Sequence, residues 1–135
     1  MTVEPSLQVG HSTFRRRGRN ILRLLWTAWI AAVVIGSLLP PSSAAIDLLS
    51  KTGLSDKFDH LFAYALLAFL PALHEDRDLV VSLAFFACAL GITLEFLQPR
   101  FGRSYELPDM AADVAGILLG LTAALLIRRF ARPRP

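Results

Sequence analysis

Four apolar segments, at 21–39, 58–73, 79–98 and 109–127, take up most of this 135-residue chain. Segments of this kind can cross hydrocarbon as helices, because a helix satisfies its own backbone amides where no water can. Hydrophobic residues make up 54% of the sequence, so one domain of this length has too little polar surface to be soluble. The reading is all-α integral membrane: a four-transmembrane-helix bundle.

The placement of positive charge sets its expected orientation. Arg15, Arg16, Arg17, Arg19 and Arg23 precede or open the first segment, and Arg128, Arg129, Arg132 and Arg134 follow the last. With Arg77, they put ten of the 14 Lys and Arg residues on the side of the termini. Lys51, Lys57, Arg100 and Arg103 fall on the other side. Basic residues favour the cytoplasmic face, so both termini are expected there. Residues 1–20 and 128–135 then read as basic cytoplasmic tails, the first disordered or interfacial, flanking a membrane domain over 21–127. The first segment is long for the core of a signal peptide, so a retained anchor is expected. Pro40 and Pro41 end its helix, and Ser55 is placed to cap the next. Trp26 and Trp29 read as anchors at the headgroup boundary. The HEDRD stretch at 74–78 reads as a solvated turn. Cys88 is the only cysteine, so no intrachain disulfide can form.

Ionisable residues inside apolar helices are costly and mark a partner or a purpose. Helical spacing sorts them onto single faces. Lys57, His60 and Tyr64 share a face of the second helix. Ala84, Cys88, Gly91, Glu95 and Gln98 follow a similar stripe on the third. Asp109, Asp113, Gly116 and Gly120 do so on the fourth. Gly116 and Gly120 form a GxxxG pair, which lets membrane helices approach closely. The packing faces are thus also the polar faces. His60, Tyr64, Glu95 and Asp113 are expected to meet just beneath the outer surface.

These residues resemble the VanZ-like family of small bacterial membrane proteins. The matching pieces are SDKFDHLFAY at 55–64, LEFLQ at 94–98, GRSYELPD at 102–109 and the glycine pair of VAGILLG at 114–120. Lys57, His60, Tyr64, Glu95, Gln98, Arg103 and Asp109 fit the family pattern. Asp113 departs from it, because an Asn is expected there; it adds a negative charge. The resemblance implies a multi-pass protein of the bacterial cytoplasmic (inner) membrane, concerned with the cell envelope. The family's namesake is linked to resistance to the glycopeptide antibiotic teicoplanin. The resemblance implies no reaction.

Three roles for the polar centre stay open on the residues alone. Lys57, Arg103, Glu95 and Asp113 can neutralise one another as a structural network. As a binding site, Lys57, Arg103 and His60 engage an anionic lipid head group or cell-wall precursor, Glu95, Gln98 and Asp109 shape the pocket, and Tyr64 and Asp113 are further binding candidates. As a membrane enzyme acting on a lipid-linked substrate, the chain uses His60 and Glu95 as acid and base. His60 with Glu95, Asp109 and Asp113 is also the chemistry of a divalent-metal site. With a single central histidine and no HExxH pair, no metal or other cofactor is expected. Membrane lipids are the expected partners. Nucleic acid is not, because no soluble domain is there to present the basic residues.

Overall fold

The computed structural model describes residues 5–44, 46, 48 and 56–131, with side chains from residue 17 onward. Ser55, expected to cap the second helix, lies outside the described residues, as do Lys51, Arg132 and Arg134. The described residues are helical, without strands. The long elements are α1 (Pro5–Leu38), α2 (Asp56–Ala72), α3 (Arg77–Leu97) and α4 (Leu107–Phe130). A 3-10 turn, Gln98–Phe101, extends α3.

Three stretches are long and apolar enough to cross a membrane: Arg17–Leu38, Arg77–Phe101 and Leu107–Phe130. Their packing supports that environment. The largest apolar side chains point outward, with Phe85 73% and Phe130 79% exposed. The interior holds Ala68, Ala87, Ala124 and a set of carboxylates. A soluble domain buries its Phe and Leu and exposes its acids. The reversed order, with small residues at helix contacts, suits a lipid surround. The fourth long helix, α2, has 17 residues. At 1.5 Å per residue that is about 25 Å, short of the roughly 30 Å hydrocarbon thickness.

This short helix is the centre of the bundle. Tyr64, Leu67, Ala68, Pro71 and Ala72 on it are all buried. It lies closest to α4. A side chain added at Gly116 would meet the Leu61 carbonyl oxygen, and one at Gly120 the Ala65 carbonyl oxygen. The GxxxG pair thus fits against two successive turns of α2 at backbone contact, where Cα–H groups can face carbonyls.

Against its other side, α1 docks through hydrogen bonds. Trp26 Nε1 donates to the Leu67 carbonyl at 2.8 Å, and Trp29 Nε1 to the Ala63 carbonyl at 3.0 Å. Both indoles therefore join helix to helix, where the sequence suggested headgroup anchors. Pro71 explains one of them: it has no N–H for the carbonyl four residues back, which is that of Leu67.

The α2–α3 turn also differs from its sequence reading. Glu75 is only 6% exposed. Arg23 reaches it from α1 with Nε to Oε1 at 2.6 Å and Nη2 to Oε2 at 3.1 Å. Arg128 of α4 donates to the Ala72 and Glu75 carbonyls, each at 3.0 Å. HEDRD is the joint at which three helices are tied, and only part of it is a solvated turn. Asp76 caps α3 by accepting from the Leu79 amide at 3.0 Å. Helix α1 begins at Pro5, so residues 5–20, the segment expected to be a disordered or interfacial tail, are helical; that excludes disorder and is compatible with an interfacial segment.

Candidate functional site

At the end of the bundle away from the termini, the first turns of α2, the last turn of α3 and the first turns of α4 come together. Lys57 Nζ lies 3.0 Å from Glu106 Oε2 and 3.2 Å from Asp109 Oδ1. One turn deeper, His60 Nδ1 is 2.9 Å from Asp113 Oδ1, and Nε2 is 3.9 Å from Asp109 Oδ2. The i, i+3 spacing of Lys57 and His60 thus runs alongside the i, i+4 spacing of Asp109 and Asp113. Each rung sets one basic group of α2 against one aspartate of α4, and Glu106 adds a second carboxylate at Lys57.

Below them, Tyr64 and Gly91 show why a glycine sits in α3. A Cβ at Gly91 would stand 2.6 Å from Asp113 Oδ2 and 3.1 Å from the Tyr64 hydroxyl. Gly91 therefore leaves the space that those two side chains occupy. Tyr64 is buried with them.

Glu95 is 1% exposed and faces the loop. Its Oε1 accepts a hydrogen bond from the backbone amide of Glu106. That amide sits at the N-cap of α4, where amides have no helical acceptor. Glu95 thus fastens the loop that carries Arg103. The loop is turned by Gly102, whose φ of 78° lies in the left-handed region that favours glycine. The Arg103 amide returns to the Gln98 carbonyl at 3.2 Å. Gln98 is buried, and its side-chain nitrogen has no partner among the described residues. Arg103 Nη2 reaches Asp56 Oδ1 at 3.1 Å.

The residues singled out by sequence therefore share one end of the bundle, but their pairing differs from the network considered there. Lys57 and Arg103 pair with Glu106, Asp109 and Asp56, whereas Glu95 holds a backbone amide and Asp113 holds His60. Asp56 and Glu106 are the participants that sequence reasoning passed over. Asp56 lies four residues before His60 and so shares its face, which was a usable signal. Glu106 lies in the loop motif, where spacing gives no face.

Among the described residues at this end, carboxylates outnumber full cations. Asp56, Asp59, Glu95, Glu106, Asp109 and Asp113 stand against Lys57, Arg103 and the exposed Arg100. Asp56, His60 and Asp109 each offer a ligand atom, all within 4.8 Å of one another. Imidazole with carboxylates suits zinc, manganese or iron. This set shares His60 and Asp109 with the one considered from sequence, and Asp56 replaces Glu95 and Asp113. Arg103 and Lys57 already neutralise two of its members.

A groove of about 430 Å³ opens beside these residues, between α1 and α2. Its inner wall is apolar, from Trp29, Ala32, Val33, Phe62 and Ala63; its polar end is formed by Asp56, Asp59, His60 and Arg103.

No protein-family model, curated protein or solved structure matches this chain.

Two kinds of chemistry are available at this site. His60, held at Nδ1 by Asp113, has the arrangement in which a carboxylate orients an imidazole and sets its tautomer. The groove offers an apolar bed that ends at a guanidinium and carboxylates, which is the outline of an amphiphile.

Proposed function

We propose that this chain is a VanZ-like membrane protein of the bacterial cell envelope. It spans the cytoplasmic membrane four times, with both termini in the cytoplasm and the polar centre at the outer face. There it binds an amphiphile, a lipid or lipid-linked cell-wall precursor, through an anionic phosphate. The observation that carries this reading is the α1–α2 groove, whose volume of about 430 Å³ lies within the roughly 300–1,000 Å³ usual for small-molecule sites. Its apolar wall suits a chain, and Arg103 at its polar end suits a phosphate. The charge asymmetry of the sequence supports the orientation. In this topology α2 crosses despite its length, because α1, α3 and α4 surround it.

Native mass spectrometry of the protein released from its own membrane tests the binding. Wild type is expected to retain an amphiphile that Arg103→Ala releases. Retention of no amphiphile by wild type would overturn the reading. Membrane-impermeant labelling of single cysteines at Ser104 and Arg129, in a Cys88→Ala background, tests the topology. Only the cysteine at 104 should react from outside.

The His60–Asp113 pair favours a second reading, a membrane enzyme on a lipid-linked substrate with His60 as general base. Glu95 fits an acid–base role less well, since it is fastened to the Glu106 amide. Turnover of a lipid-linked precursor that disappears in His60→Gln, with binding retained, would favour this reading.

A further inference from the structure

The groove's polar end carries a charge pattern that a simple anion does not match. Among the described residues lining it Arg103 is the one full cation, and Asp56 already takes one of the guanidinium nitrogens. Asp59, half-buried beside them, makes no ion pair among the described residues. A carboxylate at a membrane surface without a cation is expensive. A phosphate placed on the remaining Arg103 donors would then face two carboxylates, and a purely anionic head group would add to the repulsion.

We infer that the head group seated here is zwitterionic, with a primary ammonium on Asp59 and Asp56 beside a phosphate on Arg103, as in an aminophospholipid with one acyl chain along α1 and α2. This rests on the amphiphile reading above and names its head-group class. The zwitterion supplies the direct ion pair that Asp59 lacks among the described residues and the anion that Arg103 can still hold. A primary ammonium carries three donors, and carboxylates are the acceptors this end offers. A quaternary ammonium has no donors and is recognised on aromatic faces. The polar end of the groove is made of carboxylates and a guanidinium, and the aromatic side chains Trp29 and Phe62 lie on the apolar wall.

The test is competition in nanodiscs holding equal amounts of phosphatidylethanolamine, phosphatidylglycerol and phosphatidylcholine with identical chains, followed by native mass spectrometry of the full chain. Wild type should retain the ethanolamine lipid about tenfold over each of the others, the fold-change of one charge-assisted hydrogen bond. Asp59→Asn should abolish that preference, and Asp59→Glu should keep most of it. Asp59 makes no ion pair among the described residues, so both variants should fold; equal melting temperatures confirm that. Preference for the glycerol lipid overturns the inference and leaves the amphiphile reading standing. Equal retention of the choline lipid overturns the primary ammonium. Retention of no lipid overturns both readings.

Discussion

Trp26 of α1 donates its indole N–H to the carbonyl of Leu67 in α2 at 2.8 Å. That carbonyl would ordinarily accept from residue 71, and residue 71 is a proline inside the helix. The indole from one helix thus replaces the amide that the other lacks. The pairing couples the position of α1 to a defect in α2, and so to the groove between them.

A double-mutant cycle tests this coupling. Trp26→Phe should lower stability in detergent by about 1–2 kcal/mol, because it removes a donor and leaves a buried carbonyl unpaired. In a Pro71→Ala background the Leu67 carbonyl regains an amide donor. The same Trp26→Phe change should then cost about half as much. Equal costs in the two backgrounds would mean that the proline and the indole act independently.

The close crossing of α2 and α4 gives a graded prediction for glycines. Gly116→Ala and Gly120→Ala drive a methyl into the Leu61 and Ala65 carbonyls, which are rigid backbone. Each should cost about 2 kcal/mol or more through helix separation. Gly36→Ala should be close to neutral, since a Cβ there meets nothing within 4 Å. Gly91→Ala should act differently again. Its methyl would displace Asp113 and Tyr64, so it should disturb the His60 pair more than the melting temperature. The His60 ring proton signal in NMR is the readout for that variant.

Glu95 permits a separation of structure from chemistry. Its Oε1 accepts the Glu106 amide, and a glutamine at 95 still offers a carbonyl oxygen at that place. Glu95→Gln should therefore keep the loop closed, whereas Glu95→Ala should open it. Hydrogen exchange at the Glu106 amide is the measurement. Little change in Glu95→Gln and at least about tenfold faster exchange in Glu95→Ala are expected, consistent with about 1.4 kcal/mol or more for leaving one buried amide unsatisfied. Equal acceleration in both variants would mean that the negative charge itself holds the loop.

What could be read from the sequence followed from periodicity. Lys57, His60 and Tyr64 in α2, and Asp109, Asp113 and Gly116 in α4, repeat at helical spacing, and a bundle in lipid buries its small and polar stripe. The faces were therefore legible before their contacts were. Partners were not, because pairing depends on the rotation and offset of neighbouring helices. By charge alone Lys57 suits Glu95 or Asp113, but it lies level with Glu106 and Asp109. The tryptophans have the chemistry of both an interfacial anchor and a hydrogen-bond donor. Only the placement of Pro71 against Trp26 decides between the two. HEDRD has the composition of a solvated turn because the arginines that bury Glu75 lie far away in sequence, at 23 and 128.

The Arg23–Glu75 joint gives the bundle a defined acid sensitivity. The hydrogen bond from the Arg23 guanidinium holds the Glu75 carboxyl below its usual range. A carboxyl whose pKa is depressed by folding contributes stability above its unfolded value, about 4.3, and loses it as pH falls through the folded value. Stability in detergent should therefore fall below about pH 5 as the unfolded chain begins to take up the proton. Glu75→Gln should remove this part of the pH dependence and lower stability at neutral pH, since Arg23 then faces a neutral amide. Melting temperatures of wild type and Glu75→Gln between about pH 7 and pH 4 should converge toward the acid end. A constant gap across that range would mean that the joint stabilises the bundle through packing, independent of its charge.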